Sequence, residues 1–184
     1  VLKRRIRSRH GHLSNPAAAG CLRALGEDAD AVILGHLSEI NNTPEKALAS
    51  LDRALEIDPQ RAPRSFARGL LLEAQHRFGE ALAAYDRCLE LTPDDTEAHL
   101  HRGLTLVSLE RPAEGLLAFE KATGLDPDHV PAWIGRGRIL ARSGRPGEAA
   151  QAFDTATRID PENRAAWYEK GLALASAGGN REAI

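Results

Sequence analysis

Residues 96–129 read TEAHLHRGLTLVSLERPAEGLLAFEKATGLDPDH, and residues 130–163 read VPAWIGRGRILARSGRPGEAAQAFDTATRIDPEN. Laid one above the other, the two stretches share Gly at place 8 (Gly103, Gly137), Pro at 17 (Pro112, Pro146) and Phe at 24 (Phe119, Phe153). They also share Ala at 27 (Ala122, Ala156) and Asp-Pro at 31–32 (Asp126-Pro127, Asp160-Pro161). Working outward at the same spacing of 34, Gly35, Gly69 and Gly171 fall on place 8, and Pro59 and Pro93 on place 32. Place 20 is small throughout (Ala47, Ala81, Gly115, Ala149, Ala183), and place 24 is large in the outer repeats too (Leu51, Tyr85). A fixed period of this length marks a stacked repeat architecture. The repeats are 28–61, 62–95, 96–129, 130–163 and a partial 164–184.

Each repeat reads as two helices, helix A over places 2–14 and helix B over places 18–30. Pro44, Pro112 and Pro146 at place 17 suit the first turn of helix B, where a missing N–H costs nothing. Pro at 32 ends helix B, because its ring disfavours helix in the residue before it. Small residues at 8, 20 and 27 allow close approach of the two helices. Large ones at 11 (Leu72, Leu106, Leu140, Leu174) and 24 fill the space beside them. One hairpin cannot bury its apolar face alone, so neighbours stack. Gly115, replacing Ala inside a helix, is expected to weaken its repeat by about 1 kcal/mol. The last repeat is expected to stop about one turn into its helix B. Its exposed edge, with Trp167 and Leu174, is expected to fray or to pair with a second copy.

Taken together, Trp at 4 (Trp133, Trp167), Gly at 8, Ala at 20, an aromatic at 24, Ala at 27 and Pro at 32 resemble the tetratricopeptide repeat family. The resemblance implies an all-α fold, a right-handed superhelical solenoid of antiparallel helix pairs. It also implies a concave groove lined by helix A through places 2, 5, 9, 12 and 13. On those places stand Val32, His36 and Glu39 in the first repeat, and Phe66, Leu70 and Glu73 in the second. Leu100, Leu104, Val107 and Ser108 follow in the third, Ile134, Arg138 and Arg142 in the fourth, and Tyr168 and Leu172 in the fifth. The implied groove is an apolar stripe, acidic at Glu39 and Glu73 and basic at Arg138 and Arg142, which the core is not expected to need. An apolar groove rimmed by charge marks a partner site. The alternative is that these side chains touch one another or a further repeat. Some family members clamp a terminal carboxylate with Lys at 5 and Asn at 9; place 5 here is apolar throughout, so that clamp is absent. The function expected is a non-catalytic interaction scaffold that binds a peptide or helix of a partner protein.

Composition narrows the rest. Apolar residues make up 42% and charged residues 27%, ordinary for a globular chain, and no apolar run is long enough to span a membrane. The first ten residues hold five basic side chains and no acid; without them 19 basic face 26 acidic residues. An acidic body argues against nucleic acid as a partner. Residues 1–15 read as a basic, flexible tail, and 16–27 as an irregular helix or the second helix of a degenerate repeat. The tail is read as a linker, with a membrane-side anchor or a targeting arm as alternatives. Cys21 and Cys88 stand far apart outside any CxxC, which suits a reducing, cytoplasmic compartment; Cys88, at a small core place, is expected to be buried. No catalytic motif appears, and His99 and His101, two apart on a helix, point to different sides, so neither a metal nor a cofactor is expected. The sequence begins at Val1 and ends inside a repeat, which reads as a piece of a longer protein. A docking arm of a larger enzyme, such as a glycosyltransferase, is therefore the alternative function. Acids at place 25 (Asp52, Asp86, Glu120, Asp154) and cations at place 7 of the next repeat (Arg68, Arg102, Arg136, Lys170) form either a ladder of inter-repeat ion pairs or two independent solvated stripes.

Overall fold

The computed structural model describes residues 62–182, with side chains to 178, together with the isolated helical positions Leu48, Ala49, Asp52, Leu55 and Glu56. The expected tail 1–15, the segment 16–27 and most of the repeat 28–61 lie outside the described residues, and Val32, His36, Glu39 and Cys21 with them. Among the described residues there are seven α-helices and no strand: α1 Ala62–Ala74, α2 Phe78–Leu91, α3 Thr96–Ser108, α4 Pro112–Leu125, α5 Val130–Arg142, α6 Pro146–Ile159 and α7 Arg164–Glu182. They form an all-α helical repeat solenoid. The chain divides into two compact units, Val1–Pro93 and Asp94–Ile184.

The recurring residues do what their spacing requires. Pro112 and Pro146 open α4 and α6, as expected. The hinge between helices A and B is a left-handed residue at place 15: His76 (φ 58°), Glu110 (φ 59°) and Gly144 (φ 73°). Two backbone bonds close each hinge, for example Arg111 N–H to Leu106 O (2.9 Å) and Glu110 N–H to Val107 O (3.1 Å). This is the Schellman ending of a helix. At these three hinges the next residue, at place 16, is Arg, and its guanidinium grips Glu at place 19: Arg77–Glu80, Arg111–Glu114 and Arg145–Glu148, at 2.6–2.7 Å. The Arg hydrogen bonds hold all three carboxyls below the usual carboxylate range. At the other end, place 34 caps the following helix A: Asp95 accepts from Ala98 N–H (3.0 Å) and Asn163 from Ala166 N–H (3.1 Å).

Packing turns on the glycine at place 8 and the ring at place 24. A Cβ built on Gly69 would lie 2.4 Å from the Tyr85 ring, one on Gly103 2.8 Å from Phe119, and one on Gly137 2.7 Å from Phe153. Phe119 is held twice, because a Cβ on Gly135 of α5 would also lie an impossible 2.7 Å from its ring. The rings of Tyr85, Phe119 and Phe153 are fully buried, and so is Cys88, as expected. Gly115 is no simple defect: a Cβ there would lie 3.1 Å from Gly103 O and 3.3 Å from Ile139, so its lost helix propensity is exchanged for room.

One expectation is corrected. The last repeat does not turn back after helix A; α7 runs unbroken to Glu182. Gly178, at place 15, is helical rather than left-handed, and Asn180 stands at place 17 where α4 and α6 begin with proline. With no ring to block the backbone ladder, the helix continues.

Candidate functional site

Helix A of each repeat turns places 5, 9 and 13 to one side, a spacing of four that keeps them on one face. In the unit Asp94–Ile184, this face of α3 and α5 forms an apolar cleft of about 490 Å³. Leu100, Leu104 and Val107 come from α3, and Ile134, Arg138 and Arg142 from α5. The volume lies within the range of ligand pockets, ~300–1,000 Å³. Six of the residues expected in the groove are therefore brought together: Leu100, Leu104, Val107, Ile134, Arg138 and Arg142. Ser108 does not line the cleft; its hydroxyl donates back to Leu104 O at 3.2 Å. Tyr168 and Leu172 on α7 are 69% and 50% exposed and also lie outside it.

The stripe is not independent of the core, which corrects the expectation. Leu100 is 6% exposed and belongs to the cluster around Phe119, Ala122, Ala132 and Ile139. Ile134 packs against the cluster of Leu140 and Phe153. Place 5 thus serves both purposes: its inner edge seals the repeat interface and its outer edge floors the cleft. Leu104, 39% exposed at place 9, is freer to meet a ligand.

Pro131 and Ala165 line the cleft from place 2, one of the places expected in the groove. Other lining residues escaped the repeat pattern: Val130 and Asn163 at the starts of α5 and α7, and Gly135 and Ile139 from the side of α5 that faces the core. The signal for the first two was the adjacency of places 34 and 1 to place 5 of the same helix.

The two arginines differ. Arg138 Nε donates to Glu169 Oε1 of α7 at 2.8 Å. Arg142 meets no carboxylate among the described residues. In the unit Val1–Pro93, Phe66 lies against Tyr85, ring centroids 5.7 Å apart, and Leu70 is half-buried. Glu73, expected as an acidic end of the groove, accepts the Tyr85 hydroxyl at 2.8 Å. Burial, and then the Glu73 charge, push the Tyr85 phenol far up.

Within the two units, the ion-pair ladder forms at Asp52–Arg68 (2.5 Å), Glu120–Arg136 (3.6 Å) and Asp154–Lys170 (2.6 Å). Asp86 and Arg102 fall in different compact units. In the last two rungs the cation also lies over the tryptophan at place 4, Arg136 at 5.3 Å from Trp133 and Lys170 at 4.7 Å from Trp167. Each indole N–H in turn donates to the carbonyl of the proline at place 32, Pro127 or Pro161, at 2.8–2.9 Å. Trp and Pro are therefore one device, joining helix A to the turn before it.

A family model described as tetratricopeptide repeat matches residues 66–130, 102–163 and 134–184, and a second of the same description matches 32–61. No curated protein matches the sequence. Among solved structures, the chain is similar to YrrB, described as a TPR protein with an unusual peptide-binding site. The two are 26% identical with a TM-score of 0.69, over 91% of this chain and 88% of that one. It is also similar to MamA (19% identity, TM-score 0.70, 76% of each chain). A third similar structure is the first TPR of Spaghetti (RPAP3), solved with the HSP90 peptide SRMEEVD (19% identity, TM-score 0.63, 66% of this chain and 96% of that one). These last two likenesses carry the fold alone.

Proposed function

The chain belongs to the tetratricopeptide repeat family, and from that premise we propose that it is a non-catalytic scaffold that binds a peptide or helix of a partner protein in the cleft of α3 and α5. The observation that carries the reading is the cleft itself, an apolar floor of Leu100, Leu104 and Ile134 under the charged rim of Arg138 and Arg142. Such a site offers apolar anchoring and one electrostatic contact, which suits an amphipathic helix or an extended segment. No catalytic group is part of the proposal. No helix among the described residues is long and apolar enough to cross a membrane. A cytoplasmic setting is proposed from the cysteine usage.

The test is binding to an array of immobilised amphipathic and extended peptides, read for the native chain and for single variants. Leu104→Glu and Arg142→Glu are expected to lose the peptides that the native chain retains. Leu117→Glu, at a 61% exposed position on α4 outside the cleft, is expected to keep them. Equal retention by all three variants would exclude the cleft.

A further inference from the structure

Arg138 and Arg142 stand one helical turn apart on α5 and line one cleft, yet only one of them is already answered. Glu169, 25% exposed on α7, holds Arg138 through a 2.8 Å bond. Arg142 has no carboxylate against it among the described residues. An unanswered cation beside an apolar floor favours a ligand that is apolar and carries an anion. A carboxylate that approaches Arg138 instead meets the like charge of Glu169, and like-charge juxtaposition rejects a partner.

We propose that the partner segment is an apolar peptide with one carboxylate, read by Arg142, and that Glu169 sets this specificity by keeping Arg138 from the same anion. The inference rests on the cleft being the partner site. Glu169 belongs to the next repeat's helix A, so the acidity that the cleft accepts is set by a residue contributed from its neighbour. Replacing Glu169 with glutamine turns a cleft with one available cation into a cleft with two.

The experiment is calorimetric titration with two acetylated, amidated peptides of about 15 residues, with leucines at i, i+3, i+4 and i+7. One carries a glutamate beside the leucine face; the other carries glutamine there. Native protein is expected to bind the acidic peptide about three- to tenfold more tightly than the neutral one. Glu169→Gln is expected to tighten the acidic peptide about threefold more and to leave the neutral one unchanged. In an Arg138→Gln background that gain is expected to vanish, which a merely structural role for Glu169 would not produce. If both peptides bind native protein and Glu169→Gln equally, the cleft stands as the site and the assignment to Glu169 is overturned. If neither binds native protein, the reading of the cleft fails, and the inference with it.

Discussion

The hairpin α1–α2 and the hairpin α5–α6 follow one template and fill it differently. At place 24 stand Tyr85 and Phe153, both fully buried, each against the glycine at place 8. At place 12 stand Glu73 and Ala141. The Tyr85 hydroxyl donates to Glu73; Phe153 has no hydroxyl, and place 12 of its repeat carries no acceptor side chain. At place 15, His76 and Gly144 adopt the same left-handed backbone despite unlike side chains. The template therefore prescribes shape: a ring, a gap for it and a hinge. Polar chemistry is optional, and where Tyr85 brings a hydroxyl into the core, Glu73 is there to accept from it. In this pair of places, the variation at 24 is matched by the variation at 12.

The sharpest way to break this comparison is to fill the gaps. Gly69→Ala and Gly137→Ala would each place a methyl group 2.4–2.7 Å from a ring that has no free space to enter. Overpacking of this kind costs about 1–3 kcal/mol, offset in part by better helix propensity. Gly171 holds the same place in α7, and a Cβ there meets nothing within 4 Å. Gly171→Ala is therefore expected to raise stability by up to about 1 kcal/mol. Urea midpoints of the three variants check it; one sign for all three would show that place 8 is not about the ring.

The second way separates ring from hydroxyl. Tyr85→Phe keeps the ring and removes the hydroxyl that donates to Glu73, an expected loss of about 1 kcal/mol at neutral pH. Alkaline pH sharpens it. Burial, and then Glu73, raise the Tyr85 ionisation in the fold above the unfolded value of about 10. The fold therefore keeps the proton when the unfolded chain loses it. This contribution is fully present below about pH 10 and falls as the pH climbs beyond it. Thermal midpoints of native protein are expected to drop more steeply above that pH than those of Tyr85→Phe. Parallel curves would show that the phenol is not held neutral by the fold.

How much of this was legible follows from what kind of signal each feature leaves. Gly at 8, Pro at 17 and Pro at 32 each solve a local steric problem with one residue type, so they recur and they locate α3 to α6 to within about one residue. The hinge at place 15 was not legible, because His, Glu and Gly share only a backbone angle. Nor was the Gly135 seat for Phe119, which depends on how closely the next repeat's helix approaches. The continuation of α7 past Gly178 was also missed, since a helix A pattern says nothing about whether the hinge after it forms. In the cleft, Leu104, Ile134, Arg138 and Arg142 were readable from their places on helix A. The partial burial of Leu100 and the Glu169 bond to Arg138 were not, because both depend on contacts between repeats.

The smallest expected effect concerns the cation at place 7. Arg68 lies 2.5 Å from Asp52, and place 4 of its repeat is Ser65 rather than an aromatic, so its charge rests on the carboxylate. Arg136 lies 3.6 Å from Glu120 and 5.3 Å from the centre of the Trp133 ring, so it is shared between two attractions. Both pairs are half-exposed and screened by water and salt, which limits each to ~0–1 kcal/mol. Within that limit the two should differ. Asp52→Asn leaves Arg68 without its anion and is expected to lie near the upper end. Glu120→Gln leaves Arg136 on the indole face and is expected to cost only about a few tenths of a kcal/mol. The indole should therefore buffer the rung: in a Trp133→Leu background, Glu120→Gln is expected to cost more than it does alone. A double-mutant cycle at low salt measures that coupling. Strict additivity would mean that the tryptophan at place 4 acts only through its bond to the Pro127 carbonyl, and that the stacked cation is incidental.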